Sequence, residues 1–170
     1  EFKKYNVTPS VLREGLTKID DEELKSKLTD LANIFEKFDI SISENLVDTD
    51  DELTYLANKL NNCSLYDNAE IWIDEFTTFT PQQMEVIKGL AKKCKEVNIA
   101  LCMDEVSSGD DSEVTDIFNS LKTTELRILN MMRDEHIGYE KPVNLNDNKN
   151  NRFKYNHELK HLEKYFFTYP

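Results

Sequence analysis

Two adjacent carboxylates, Asp74 and Glu75, follow the apolar run Ile71-Trp72-Ile73 and precede Thr80-Pro81. Bulky and β-branched residues suit a strand covered on both faces, and Thr-Pro supplies an N-cap and a first-turn proline. The spacing therefore predicts strand, acidic loop, helix. In open α/β sheets ligands bind at the carboxyl end of such a strand, where an aspartate can hold Mg²⁺ beside a nucleotide's phosphates. A neighbouring glutamate can orient or deprotonate an attacking water. Asp74 is thus the candidate metal and cofactor ligand, and Glu75 the candidate catalytic group.

The plainer alternative is that buried strands often end in acidic residues because charge must leave the core. The arrangement has the geometry of a Walker B element, whose partner would be a Gly-x-x-x-x-Gly-Lys-Ser/Thr loop. The glycines are Gly15, Gly89, Gly109 and Gly138, and none is followed by lysine. The chain therefore carries half a nucleotide site at most. A second apolar run from Asn98 ends in Asp104 and Glu105. With a helix from Pro81 between the two runs, the expected solution is a parallel pair joined by a right-handed crossover. Four carboxylates on one edge would offer a second chemistry, a self-contained Mg²⁺ site for phosphoryl or phosphodiester transfer.

The elements that must position these groups follow from periodicity. Thr8-Pro9-Ser10 opens a helix through Ile19, and Asp20 with Glu23 makes a capping arrangement for the next. Leu24, Leu28, Leu31, Ala32, Phe35 and Phe38 form one apolar face at helical spacing, read as core. Asp48 to Asp51 begin a third helix, where acids complement the helix dipole. Residues 1–65 form a helical subdomain, and residues 66–170 a partial α/β domain. After the polar segment 107–112, Val114 to Leu121 and Leu126 to Met132 mark two helical segments, and residues 144–151 an asparagine-rich linker. Asn156 to Phe167 reads as a terminal helix, on which His157 and His161 have no third metal ligand in view.

Composition limits the partners. Among 170 residues, 32% are charged and the net charge is −12, which opposes direct binding to a DNA backbone. A third reading, a noncatalytic module whose acidic helices dock a basic partner, fits the same balance. Cys63, Cys94 and Cys102 have neither disulfide nor zinc spacing and suggest reduced, mostly buried thiols of a cytoplasmic protein. No apolar run reaches the length of a membrane span.

At Ile71-Trp-Ile-Asp-Glu-Phe-Thr-Thr-Phe-Thr-Pro-Gln-Gln83 the chain resembles motif II of superfamily 1 DNA helicases. The closer resemblance is to the B subunits of the bacterial AddAB, or RexAB, helicase-nucleases, through Leu53 to Leu60, Tyr66 to Gln83, Val97 to Asp104, Asp116-Ile-Phe118, Asn151-Arg-Phe and His157 to Glu163. The resemblance implies an internal fragment from the N-terminal half of such a polypeptide, with a partial P-loop-NTPase-like parallel sheet flanked by helices. It implies a hydrolase parent, an ATP-dependent helicase and exonuclease that resects double-stranded DNA ends in damage repair and recombination. Asp74 and Glu75 would serve Mg²⁺ and ATP in the intact protein, with the A subunit of the helicase-nuclease as partner and DNA engaged only through the full complex. The iron–sulfur cluster and the phosphate loop would lie outside this chain, leaving an unpaired sheet edge and a tendency of the fragment to self-associate. One departure bears on motor action. Met103 to Asp111 lacks the glutamine that active motors carry after the second strand.

Overall fold

The computed structural model describes residues 1–43, 48–103, 116–145 and 153–166. Thr8 caps α1 (Pro9–Leu16) by accepting the Val11 amide at 3.3 Å, with Pro9 in the first turn. The cap of α2 (Glu22–Ser43) is Asp21 rather than Asp20. Its carboxylate accepts the amides of Glu23 and Leu24 at 2.9 and 3.1 Å, the reach that an N-cap oxygen must have. The two helices pack as a hairpin, clamped where Arg13 donates to Glu36 at 2.7 Å. The apolar face expected for α2 is only partly covered. Ala32 is buried and Phe35 stacks on Phe2 at 5.6 Å, but Leu24, Leu31 and Phe38 stay exposed, because α1 has 8 residues to cover the 22 of α2.

Asp48 caps a 3-10 turn (Thr49–Asp51) that leads into α3 (Glu52–Leu60), as the acidic run predicts. The amino-terminal segment closes on this turn through one ammonium group. Lys3 Nζ lies 2.8 Å from Asp39, 3.0 Å from Asp48 and 2.6 Å from Asp51, and its side chain is only 11% exposed. Burial alone would lower the Lys3 pKa, but hydrogen bonds to the three carboxylates outweigh it and raise it overall.

The expected strand, helix and strand are present as β1 (Glu70–Ile73), α4 (Pro81–Lys93) and β2 (Glu96–Ile99), with β1 and β2 parallel. Glu70 stands opposite Glu96 and Ile73 opposite Ile99. Two expectations change here. Trp72 is 70% exposed, so β1 is covered on one face only; α4 packs on the Ile73 side, and no described element covers the other. β2 stops at Ile99 instead of running to Glu105, because β1 itself ends at Ile73. The Ala100 amide bonding the Ile73 carbonyl at 2.9 Å is the last rung.

The core lies beneath the sheet. Phe79, Ile87, Ile128 and Met132 form it, with Ile73 and Ile99 packed against them. Ile128 and Met132 come from α5 (Asn119–Asp134), one helix where two segments are expected; Val114 lies outside the described residues. On its other side α4 meets α3 closely enough that a Cβ on Gly89 would stand 3.0 Å from Leu60 Cδ1. Asn156 caps α6 (His157–Tyr165), on which Leu159, Leu162 and Phe166 are exposed; Phe167 lies outside the described residues. Cys102 is exposed, and Cys63 and Cys94 are half-buried, a less enclosed set than expected. Among the described residues no helix is long and apolar enough to cross a membrane.

The Lys3 cluster gives a signed expectation for stability against pH. Asp48 is held below the ordinary carboxylate range, first by the Lys3 hydrogen bond and then by the Asp50 amide. The stability it contributes is complete above its unfolded pKa and is lost as pH falls through the folded one. In Lys3→Met the Asp48 carboxylate loses the hydrogen bond that chiefly lowers its pKa, so its pKa rises from the folded value. That variant should lose about 1–3 kcal/mol at pH 7. As pH falls from neutrality through the Asp48 titration, the variant should then lose less stability than the parent, because the Asp48 contribution that acid removes is already gone. Urea denaturation across this range measures both slopes, and parallel pH profiles would refute the expectation.

Candidate functional site

The loop after β1 is built by its own hydrogen bonds. Asp74 and Glu75 stand, exposed, at the carboxyl end of the strand, as the sequence reading places them. The Asp74 carboxylate accepts the Glu75 amide at 2.8 Å through Oδ1, and Oδ2 has no partner among the described residues. Glu75 has a positive φ of 65°, a left-handed conformation that costs a residue with a Cβ about 1–2 kcal/mol. Beyond it Phe76 stacks on Phe79 at 5.0 Å, and Phe79 is buried in the core.

The far end of the loop is fixed by a reciprocal cap. The Thr80 amide donates to Gln83 Oε1 at 2.8 Å, and the Gln83 amide donates to Thr80 Oγ1 at 3.3 Å. Such a box follows from a Thr and a Gln three apart around Pro81. Two further anchors escape a sequence reading. Thr124, buried on α5, donates its hydroxyl to the Thr77 carbonyl at 2.8 Å. Gln82, also buried, donates to the Asp50 carbonyl at 2.7 Å and to Thr54 Oγ1 at 2.9 Å, joining the start of α4 to the start of α3. A polar side chain at a position that periodicity assigns to a helix interface is the only signal either leaves.

Asp74 also lines a cleft of about 380 Å³, with Trp72, Phe79, Val86, Leu90 and Leu53 among its walls. This size falls within the range of small-ligand and side-chain pockets. Asp104 and Glu105 lie outside the described residues, so the gathering of four carboxylates is not among the contacts seen. Among the described residues no three His, Cys, Asp or Glu side chains come together to hold a metal. The His161 ring packs on Tyr165 at 4.6 Å.

Lysines near α4 are already engaged. Lys92 meets Glu135 at 2.6 Å and Lys88 meets it at 3.4 Å, which holds the Glu135 carboxyl below its usual range, Lys92 contributing most. Lys93 meets Asp67 at 3.4 Å.

Residues 1–163 match the family described as ADDB, N-terminal. The whole chain is 44% identical to the B subunit of the ATP-dependent helicase/deoxyribonuclease of Clostridium botulinum (strain Hall). It is 46% identical to the protein of that name from Clostridium perfringens, and 43% identical to that of Clostridium novyi (strain NT). The chain covers 15%, 14% and 15% of these relatives, so it spans about a seventh of their length.

The backbone at Glu75 can be tested directly. Glycine adopts positive φ without steric cost, so Glu75→Gly should raise unfolding stability by up to about 1 kcal/mol, part of the relief being offset by the freer unfolded chain. Glu75→Ala keeps the Cβ and should stay within about 0.5 kcal/mol of the parent. Paired urea denaturations would show it, and a glycine variant no more stable than the alanine one would contradict the strain.

Proposed function

Because the chain belongs to the ADDB N-terminal family, we propose that it supplies the metal-facing half of a nucleotide site to an ATP-dependent helicase/deoxyribonuclease that processes double-stranded DNA ends for recombinational repair. The observation that carries this reading is the exposed Asp74 carboxylate at the carboxyl end of a parallel strand, one oxygen fixed by the Glu75 amide, in a residue that also lines a cleft. Mg²⁺ prefers six oxygens and keeps its waters, so a lone carboxylate is a fitting part of its shell and too weak to be the whole. Asp74 would hold the ion once phosphate oxygens and a phosphate-loop hydroxyl complete the shell. The ion would supply charge neutralisation at the phosphates. Glu75, beside Asp74, is the group placed to orient or deprotonate a water.

The relatives are named as the B subunit of their enzyme, which supports a partner polypeptide; we assign that role to the A subunit, with DNA held by the full cytoplasmic complex. A chain with net charge −12 leaves DNA contacts to other parts of the assembly. The iron–sulfur cluster belongs to those parts too. The missing glutamine in residues 103–111 supports the A subunit as the motor.

Three measurements test the half-site. Isothermal titration of the chain with Mg-ATP should give no saturable heat, and micromolar binding would refute it. In the full-length protein Asp74→Asn should weaken Mg²⁺-dependent ATP binding, and unchanged binding would remove Asp74 from the shell. Water activation at such a site is worth about 10²–10⁴-fold in rate. With the ATPase of the A subunit disabled, Glu75→Gln should change the residual turnover less than tenfold, and a hundredfold fall would reveal a second motor in this polypeptide.

A further inference from the structure

Thr124 has two acceptors for one proton. It is buried on α5, and its Oγ1 lies 2.8 Å from the Thr77 carbonyl and 2.9 Å from the Ser120 carbonyl. A hydroxyl donates a full hydrogen bond to one of these at a time. The acceptors belong to different elements. Ser120 lies one turn back on α5, and donation to it is the back-bond that threonines make inside a helix. Thr77 lies in the loop between β1 and α4, which carries Asp74 and Glu75. Because Thr77 is an exposed residue, water can take over its carbonyl when the hydroxyl turns to Ser120. Neither position leaves a buried group without a partner, so the turn between them costs little.

Backbone strain acts on this choice. Glu75, two residues before Thr77, stands at a φ of 65°, a conformation that persists only while the surroundings impose it. The ladder bond to Ile73 and the Thr80–Gln83 box secure the two ends of the loop, and the stacking of Phe76 on Phe79 holds a side chain. The Thr124 bond is the tie that reaches the backbone between those ends from another element. We infer that the Thr124 hydroxyl is a two-position latch. Turned to Thr77 it holds the loop with Glu75 left-handed; turned to Ser120 it lets Glu75 relax, so that α5 governs the form in which Asp74 and Glu75 are presented. The latch consists of one hydroxyl and two carbonyls and needs no ion or nucleotide, so it stands apart from the half-site reading.

Nuclear magnetic resonance of the whole chain tests the latch at Glu75, whose Cα and Cβ shifts follow the sign of φ. Thr124→Val removes the hydroxyl at nearly constant volume, and Thr124→Ala removes it while leaving room. In both variants the Glu75 signals should move to positions of negative φ, while those of the buried Leu60 and Ile87, away from α5, stay in place and show the fold intact. Thr124→Ser keeps the hydroxyl and should keep the parent positions. Exchange between the two positions should broaden the Glu75 and Thr77 amides of the parent on the μs–ms scale, and the broadening should vanish in Thr124→Val. Glu75 signals unmoved in both hydroxyl-free variants, or moved as far by serine as by valine, would overturn the inference. Sharp Glu75 and Thr77 amides in the parent would overturn it as well, since they would make the Thr124 bond a fixed tie.

Discussion

The close approach of α3 to α4 is the constraint on which the rest depends. Leu60 is 1% exposed and rests over Gly89, whose missing side chain is the space that Leu60 fills. On its opposite side α4 carries Ile87 into the cluster with Phe79, Ile128 and Met132. A helix pinned between two partners cannot roll. Its first turn, capped by Thr80 and tied to α3 by Gln82, therefore fixes where the loop from β1 must land, and so where Asp74 and Glu75 stand. The carboxylates are placed by apolar packing several residues away together with the Glu75 amide that Asp74 accepts.

Charge is arranged in the same economical way. Cations of an acidic chain are used as ties between segments: Lys3 joins the amino-terminal turn to α2 and the turn before α3, Lys92 joins α4 to Glu135 after α5, and Lys122 meets Asp116 at 2.6 Å. The Lys122 bond and the Phe118 amide hold the Asp116 carboxyl below its usual range, the lysine contributing most. The more exposed of these ties, such as Lys92 with Glu135, contribute little individually. Their larger consequence is electrostatic, because engaging the lysines leaves the surplus acids to define the surface that partners meet.

Much of this was legible in the chain, and what was not has a physical reason. The Thr-Pro-Gln-Gln helix start, the acidic turn before α3 and the parallel strand pair follow from local propensity and periodicity. The exposed Trp72 does not, because an apolar β-branched run reads the same whether one face or two will be covered. The partly bare face of α2 escapes for a like reason: periodicity shows which residues align and not what lies opposite. Asp21 in place of Asp20 is a one-residue ambiguity between two adjacent capping side chains. Thr124 and Gln82 are polar residues buried because tertiary structure happens to bring them a carbonyl. No local pattern encodes that meeting.

At the site itself, strain and openness coincide. Glu75 is held at positive φ by a loop whose two ends are secured, one by the strand ladder through Ile73 and the other by the Thr80 box, with Thr124 gripping Thr77 between them. Strain persists where surroundings over-determine the backbone, and here the surroundings are a capped helix and a packed core. A relaxed turn would leave the carboxylates mobile, whereas this one presents Asp74 with one oxygen already engaged. On the reading proposed above, the chain would contribute position, and the remaining ligands of an ion would come from elsewhere. A half-site, if that is what Asp74 forms, would favour rigidity over affinity: an ion bound by one carboxylate alone would be poorly placed, and a fixed, weak carboxylate would become a good ligand only when its partners arrive.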